Sequence, residues 1–217
     1  MNLQKEFEDV KFLTSNVVKA KTLREMGIGV ANFDKDLPEI KSIDVQEIAT
    51  HKANDTGLNN ILVEDTAFEL VGTDFYETQI KQLFKFIEFE DSLKGQPVVW
   101  KVALAWKINE NIFVSQANLE GELFYPAVSK GYNFERILRI KHDGKDYMFP
   151  ELPEEVLERI HPRVLAAQQL IDAVKNNDYS KLTKVDVKDI VWDGDYQPED
   201  ITDPKLFSLR KRKKLGM

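Results

Sequence analysis

The sequence contains no cysteine, so disulfide bridges and thiolate metal sites are excluded. It has no apolar run long enough to cross a bilayer, and its acidic first residues, MNLQKEFEDVKF, lack the apolar stretch of a secretory signal. Histidine is scarce, and His51 and His142 have no partners at metal-site spacing. These absences predict a soluble protein of a reducing compartment, the cytoplasm, that does not enter a membrane.

Positive charge is scarce outside the end of the chain. The formal net charge is −7, although residues 210–214 (RKRKK) alone contribute five positive charges. The remaining surface repels polyanions, which argues against nucleic acid as a partner. An anionic substrate would therefore need a local source of positive charge or hydrogen-bond donors, such as a divalent cation, fixed lysines or helix-terminus amides. For residues 210–214, a solvated terminal charge run fits better than a nucleic-acid contact or an import address.

The composition and the local signals are those of an α/β protein. With 217 residues, of which 42% are apolar and 31% charged, the chain can bury one substantial core with room for two lobes. An apolar run at residues 10–13 predicts a strand, and the polar residues after it predict a capped helix over residues 17–26 that ends at Gly27. A second helix is expected from residue 44 to about 54. Residues 61–63 predict a buried parallel strand that ends at Glu64.

The rest of the chain predicts an antiparallel part. A helix is expected over residues 78–89, because their apolar side chains recur at helical spacing. Residues 98–107 and 112–123 predict two long strands that Asn109-Glu110-Asn111 joins as a hairpin. Pro162 suits the first turn of a helix over residues 164–175. The whole pattern predicts a mixed α/β protein with a hairpin lobe.

The first cluster of chemical interest is the start of the helix at residues 17–26. Thr14, Ser15 and Asn16 offer hydroxyl and amide groups there, and Lys19 lies in the first turn. These donors could hold a triphosphate. N-caps of this composition are also common in helices that bind nothing, so both interpretations stay open.

Carboxylates form two further clusters. Glu64 and Asp65 follow a predicted buried strand, where ligands of open α/β sheets bind, and their oxygens suit Mg²⁺. The alternative is a solvated acidic turn. Glu39 lies beside Pro38 on an extended segment, and Lys52 lies on the following helix. These two could meet a metal ion and phosphate oxygens, or simply lie at the surface.

Taken in order, four segments resemble motifs of the inosine triphosphatase (Ham1) family of noncanonical purine nucleotide pyrophosphatases. They match T-x-N-x-x-K at residues 14–19, D-L-P-E at residues 36–39, E-I-A-x-x-K-A at residues 47–53 and V-E-D-T at residues 63–66. Each motif is common by chance, but four in this order form a specific pattern. The resemblance is close over residues 10–70 and looser over residues 98–174.

The resemblance implies a Ham1/Maf-like fold, which is an α/β architecture with a two-lobed mixed sheet and a central nucleotide-binding cleft, and commonly a homodimer. It places the pyrophosphatase-like domain at residues 1–177 and leaves residues 178–217 as a C-terminal extension with the basic tail. The implied enzyme uses Mg²⁺ and an activated water to split a nucleoside triphosphate into the monophosphate and pyrophosphate. Its expected substrates are ITP, dITP and XTP.

Residue roles follow from the same resemblance. Asp65 and Glu64 are expected to be catalytic, and Glu39 and Asp65 are expected to hold Mg²⁺. Lys19 and Lys52 resemble the phosphate-binding lysines. The residues that resemble the phosphate loop are Thr14, Ser15 and Asn16.

Base binding falls to two later segments, and both depart from the family pattern. Tyr132, Phe134 and Glu135 stand near the family's base-stacking aromatic and its aspartate, so the resemblance assigns them to the substrate. Glu135 replaces the aspartate. For Phe134, a place in the core is an equally good interpretation.

The second segment corresponds to the family's late K-N-x-x-S-H-R motif. Arg163 matches its arginine and Pro162 replaces its histidine, while His161 would serve after a one-residue shift. Groups of this kind read the base edge, because hydrogen bonds discriminate bases better than shape does. Two alternatives therefore stay open: the same chemistry on a different canonical or modified nucleotide, and a nucleotide-binding regulator without turnover.

Overall fold

The computed structural model of the chain describes residues 3–32, 39–72, 76–77, 93–125 and 127–196. Two compact units contain them. The first unit is drawn from Met1–Ala67, Trp100–Leu119 and Pro153–Gln197, and the second from Phe68–Val99 and Glu120–Leu152. Helices and a mixed sheet build the fold, which confirms the predicted two-lobed α/β class.

Parallel strands begin the first unit. β1 (Lys11–Thr14) pairs in parallel with β2 (Gly29–Asn32) on one side and with the start of β3 (Ile61–Leu70) on the other. The register with β3 places Lys11 opposite Ile61. Parallel neighbours need crossover connections. Helices supply them after β1 and before β3, as the sequence predicts.

Local capping signals set the bounds of these two helices. α2 (Val17–Glu25) begins at the N-cap Asn16 and ends before Gly27, whose φ of 84° suits glycine. α3 (Val45–Asp55) begins at Asp44, whose side chain accepts a hydrogen bond from the Gln46 amide at 2.8 Å. Both helices confirm their predictions to within about a residue.

The first unit has three more helices. α1 (Leu3–Glu8) precedes β1, while α4 (Glu154–Ile160) and α5 (Pro162–Asn176) come late in the chain. α5 begins at Pro162 as predicted, with His161 as its N-cap. The helix predicted over residues 78–89 lies outside the described residues.

The predicted hairpin is confirmed. β5 (Pro97–Ile108) and β6 (Asn111–Leu123) are neighbours in the sheet, joined by two residues of which Asn109 has a φ of 52°. β9 (Thr183–Asp186) then pairs antiparallel with the start of β6. Residues 183–186 of the predicted extension therefore belong to the sheet of the first unit, whereas residues 197–217 lie outside the described part of the chain.

Short antiparallel strands make up much of the second unit. β4 (Tyr76–Glu77) pairs with the end of β3. β7 (Leu138–His142) pairs with the end of β6, and β8 (Lys145–Met148) pairs with β7. The short 3₁₀ helices Asn133–Ile137 and Phe149–Glu151 flank this β7–β8 hairpin along the chain.

The end predicted for β3 is wrong. The strand does not stop at Glu64 but continues to Leu70. Ala67, Phe68 and Leu70 are fully buried, and burial of these apolar side chains stabilises the longer strand. The Thr66 hydroxyl also donates a hydrogen bond to the carbonyl of Lys101 on β5 at 3.1 Å. Glu64 and its neighbour thus lie within a strand rather than in a turn.

A large apolar cluster forms part of the core of the first unit. Trp106 is fully buried at its centre, with its indole N–H donating to Asn60 Oδ1 at 3.1 Å and its ring edge-on to Phe7. Leu62 of β3 and Leu170 of α5 are fully buried in the same cluster. Each such side chain stabilises the fold by roughly 1.5–3 kcal/mol. Within the described residues, no helix is both long and apolar enough to cross a membrane.

Candidate active site

Two adjacent carboxylates on β3 are the centre of the candidate site. The side chains of Glu64 and Asp65 are only 1% and 5% exposed. Successive side chains of a strand point to opposite faces of the sheet. Accordingly, the two carboxylates have different ion-pair partners, and each cation comes from a helix of the first unit. The charge of Lys19 nevertheless also acts on Asp65, so the two groups lie near each other.

Glu64 is held by two cations. Arg163, at the start of α5, donates from Nε to Glu64 Oε2 at 2.6 Å and from Nη2 to Glu64 Oε1 at 3.1 Å. Lys19 Nζ, in the first turn of α2, lies 3.0 Å from Glu64 Oε1. The arginine contact is therefore a bidentate ion pair across 99 residues of sequence.

These contacts fix the ionisation of Glu64. Burial alone would raise the pKa of this carboxyl group, but the charges of Arg163 and Lys19 outweigh burial and lower the pKa to about 2. Glu64 is consequently ionised at neutral pH and is a weak proton acceptor there. With two cations against one carboxylate, this group, termed here the Glu64 cluster (Glu64, Lys19, Arg163), has a net charge of one positive.

Asp65 forms the other cluster. Lys52 Nζ, on α3, donates to Asp65 Oδ2 at 2.6 Å and to Glu39 Oε1 at 2.9 Å. The amide of Thr66 donates to Asp65 Oδ1 at 2.7 Å. One ammonium group thus bridges two carboxylates that lie 26 residues apart along the chain. Asp65, Glu39 and Lys52 are termed the Asp65 cluster.

Electrostatics in the Asp65 cluster differ from those around Glu64. Burial raises the pKa of Asp65, the charge of Lys52 opposes that rise, and repulsion from Glu39 adds to it, so that the pKa lies above its usual value. Burial alone would lower the pKa of Lys52, but the carboxylates of Asp65 and Glu39 raise it. With both carboxylates ionised the cluster has a net charge of one negative.

The predicted phosphate loop is a tightly capped turn. The Asn16 amide donates to Thr14 Oγ1 at 3.0 Å, and Asn16 Oδ1 accepts from the amides of Val18 and Lys19 at 3.0 and 3.2 Å. Ser15 is exposed between them. The helix-start amides expected to meet phosphate are therefore bonded within the chain, and the Lys19 ammonium is the charged group of this loop.

Comparison with known proteins agrees with this arrangement. The model of the Ham1 family matches residues 10–173, which is most of the chain. The chain belongs to the Ham1 family. Ham1 proteins are in general nucleoside triphosphate pyrophosphatases. The matched range includes the residues of both clusters.

Among solved structures, a HAM1 protein from Coxiella burnetii resembles this Ham1 chain, with a TM-score of 0.53 and 15% sequence identity. The match covers 77% of this chain and 98% of that protein. At this identity the likeness shows the fold alone. No curated protein matches the sequence.

The acidic pair of the Asp65 cluster suits a hard cation. Asp65 and Glu39 already share the Lys52 ammonium, so their oxygens are spaced to contact one positive charge. Mg²⁺ commonly takes one or two protein carboxylates and completes its shell with waters and phosphate oxygens. Among the described residues no group of three or more acidic, histidine or cysteine side chains could hold a metal. Two carboxylates could hold Mg²⁺ only if other ligands, such as waters and phosphate oxygens, completed its shell.

The late motif of this Ham1 chain lies in the first unit, but its side chains have structural partners. His161 Nδ1 accepts the amide of Arg163 at 3.1 Å and so caps α5. The His161 ring lies 5.1 Å from the ring of Trp100. The Arg163 guanidinium is bound to Glu64. Both predicted base-binding side chains thus have defined structural roles.

Sequence reasoning missed Trp100. Its indole N–H donates to Thr66 Oγ1 at 2.8 Å, next to Asp65, and its ring packs beside His161. Trp100 therefore links β5 to the middle of β3 and to the start of α5. A buried tryptophan within an apolar strand carries no local sign of such a role.

The remaining predicted base-binding residues lie in the second unit. Phe134 is 2% exposed and stacks on Phe68, with ring centroids 5.0 Å apart and an angle of 6° between the planes. The Glu135 carboxylate accepts the Tyr132 amide at 2.8 Å. Packing on Phe68 is enough to explain the buried position of Phe134 without a bound base. The Tyr132 side chain, by contrast, is exposed to solvent.

Proposed function

We propose that this Ham1 chain hydrolyses noncanonical purine nucleoside triphosphates, namely ITP, dITP and XTP, to the monophosphate and pyrophosphate with Mg²⁺. One observation carries the proposal: two buried ion clusters of opposite net charge are centred on adjacent residues of β3. A triphosphate and a divalent cation are the pair of opposite charges that such a site would take. The family resemblance extends the proposal to a homodimer in the cytoplasm.

The Glu64 cluster supplies positive charge for phosphate. If Lys19 faced Glu64 alone, the pair would be neutral and would attract an anion weakly. Arg163 neutralises Glu64 through its two hydrogen bonds, so the charge of Lys19 remains for the triphosphate. We assign Glu64 to positioning of Lys19 and Arg163 rather than to proton transfer, because its pKa is near 2.

The Asp65 cluster supplies the acidic groups of the reaction. Asp65 and Glu39 would hold Mg²⁺, which offsets the negative charge that develops on the leaving pyrophosphate. Lys52 places a fixed positive charge beside both carboxylates, where it can meet phosphate oxygens. We also assign Asp65 to accepting a proton from water, as the family resemblance implies.

These roles give a balanced reaction. The oxygen of water bonds to the α-phosphorus, and Asp65 accepts the proton that this water loses. The bond between the α-phosphorus and the oxygen bridging to the β-phosphate breaks, and pyrophosphate leaves with that electron pair. Lys19 and Lys52 stabilise the charge of the phosphates as it moves.

A second candidate is the same chemistry on a different base. Two contacts favour it: Arg163 binds Glu64, and His161 Nδ1 caps a helix. Because these atoms already have partners within the chain, they do not form hydrogen bonds to a base in this arrangement. Base preference would in that case depend on other residues of the chain, and a canonical or modified nucleotide could be the substrate.

A panel of nucleoside triphosphates separates these candidates. Pyrophosphate release is measured with ITP, dITP, XTP and the four common ribonucleotides, with Mg²⁺ and, as a control, with EDTA. The proposal expects the highest kcat/KM on ITP, dITP or XTP and no release in EDTA. Preference for another base supports the second candidate. Tight nucleotide binding without pyrophosphate release would instead identify a regulator and refute the proposed enzyme.

A further inference from the structure

Residues 190–196 form a short C-terminal segment, termed here the strap, that follows the region matched by the Ham1 family model. The strap pairs with the chain beside Glu39. Tyr196 forms an antiparallel bridge with Ile40, and the Lys41 amide donates to the Asp195 carbonyl at 2.9 Å. These are the residues that directly follow Glu39, a carboxylate of the Asp65 cluster.

The strap also contacts α3 next to Lys52. The ring of Trp192 lies edge-on to His51, with centroids 5.8 Å apart, and His51 is buried immediately before Lys52. The Trp192 indole N–H donates to the same Asp195 carbonyl at 3.1 Å. The strap therefore touches the neighbours of both partners of one ion pair, Glu39 and Lys52.

The beginning of the strap is fixed to the first unit. β9 pairs with β6 just before it, the Val187 amide donates to the Glu110 carbonyl at 2.9 Å, and the Ile190 amide donates to the Val187 carbonyl at 3.2 Å. The strap is thus a bridge that is anchored on the β5–β6 turn at one end and on Ile40 and Lys41 at the other.

We propose that the strap is a positioning element that holds Glu39 at the distance from Asp65 and Lys52 that binding of the divalent cation requires. Glu39 lies on an irregular extended segment, and such segments open more readily than helices or strands. The inference rests on the proposed function, because it assigns Glu39 to the cation. Groups that orient a metal ligand typically change metal affinity by about 10–100-fold when they are removed.

Trp192 is the residue to change, because its ring contacts His51 and its N–H bonds within the strap to the Asp195 carbonyl that the Lys41 amide also contacts. Trp192→Ala removes both contacts, and Trp192→Phe keeps a ring against His51 but removes the donor. Val191→Ala is the matched control, since Val191 is 77% exposed in the same strap. Lys41→Pro removes the amide that donates to Asp195 and loosens the strap from the opposite side.

Three measurements are made on each full-length variant: hydrogen exchange of the Lys41 amide (not in Lys41→Pro), Mg²⁺-dependent binding of a non-hydrolysable inosine triphosphate analogue by calorimetry, and the Mg²⁺ dependence of kcat and KM. In Trp192→Ala we expect faster Lys41 exchange and about a tenfold higher Mg²⁺ requirement, with kcat near normal at saturating Mg²⁺. Trp192→Phe should fall between Trp192→Ala and the wild type, and Val191→Ala should match the wild type. In a Glu39→Gln background, Trp192→Ala should change the Mg²⁺ requirement no further.

The outcomes separate this inference from the proposed function. A wild-type protein that releases no pyrophosphate from any nucleotide refutes the proposed function. If the wild type turns over, but neither Trp192→Ala nor Lys41→Pro changes the Mg²⁺ requirement, the inference is overturned even if the melting temperature falls. It is also overturned if Trp192→Ala has the same effect with and without Glu39, since the strap would then act elsewhere.

Discussion

Glu64 and Asp65 are neighbours on one strand, and their surroundings give them opposite chemistry. Two cations surround Glu64 and lower its pKa to about 2, whereas burial, with repulsion from Glu39, raises the pKa of Asp65. A carboxylate flanked by two cations is a weak base, and one with a raised pKa is a better proton acceptor near neutral pH. The residue type alone would not separate the two.

Asp65→Asn tests this difference. Asparagine keeps the size of the side chain and an acceptor oxygen for the Thr66 amide, but it cannot take a proton. We expect pyrophosphate release to fall by about 10²–10⁴-fold while the protein remains folded. Asp9→Asn, at an exposed aspartate after α1, should leave the rate unchanged. Near-normal rates in Asp65→Asn would remove Asp65 from the mechanism.

The lowered pKa of Glu64 predicts a loss of stability in acid. The pKa of Glu64 is about 2 in the folded protein against an ordinary 4.5, so its stabilising effect is complete above pH 4.5 and is lost as pH falls towards 2. The loss amounts to about 3 kcal/mol. The raised pKa of Asp65 has the opposite effect on stability: above pH 3.8 the carboxyl group ionises less readily in the folded protein than in the unfolded chain, so its ionisation lowers the free energy of unfolding there.

Urea unfolding between pH 5 and pH 2 measures this loss. Arg163→Lys keeps a positive charge beside Glu64 but loses the bidentate contact, so its free energy of unfolding should depend less steeply on pH than that of the wild type. Equal pH dependence in the two proteins would show that the Arg163 contact does not lower the pKa of Glu64.

At the scale of secondary structure, the sequence predicts the elements whose signals are local. α2, α3 and α5 begin at Asn16, Asp44 and the residue before Pro162, and the β5–β6 hairpin turns at Asn109. The continuation of β3 beyond Glu64 and the pairing of β9 with β6 depend on partners far along the chain. Binary patterns do not encode such pairing, so these features were not predicted.

The same limit applies to the site. The motifs identify Glu39, Lys52 and Asp65, and the structure brings them together. The contact between Glu64 and Arg163 spans 99 residues, and the link from Trp100 to Thr66 spans 34. Neither has a periodic or spacing signal, because each arises where separate elements pack against each other.

The N-cap of α2 gives a prediction at this scale. Asn16→Ala removes the acceptor of the Val18 and Lys19 amides and should lower the free energy of unfolding by about 1 kcal/mol. Asn16→Asp keeps the cap but brings a negative charge to the phosphate loop, so stability should hold while KM for the triphosphate rises. Urea unfolding and steady-state kinetics measure the two effects. An unchanged KM in Asn16→Asp would place the triphosphate away from this loop.

Over the whole molecule, charge opposes the proposed substrate. The net charge of −7 repels a triphosphate, and the single positive charge of the Glu64 cluster acts locally against this repulsion. The Asp65 cluster adds a negative charge beside it. A triphosphate alone should therefore bind poorly, and a divalent cation should strengthen its binding by offsetting charge on both the phosphates and the carboxylates.

Ligand-induced stabilisation tests this coupling, because a ligand that binds only the folded state raises stability according to its concentration and affinity. At a concentration of about 100 times its dissociation constant, a non-hydrolysable inosine triphosphate analogue with Mg²⁺ should add about 2.7 kcal/mol. For a protein of this size that corresponds to a rise of roughly 5–10 °C in melting temperature. In EDTA the analogue should give little of this rise, and Glu39→Gln should reduce the Mg²⁺-dependent part because it removes one of the two carboxylates. Equal stabilisation with Mg²⁺ and with EDTA would mean that the two clusters do not act together on a cation and a triphosphate, since the phosphates would then bind without the charge that the cation supplies.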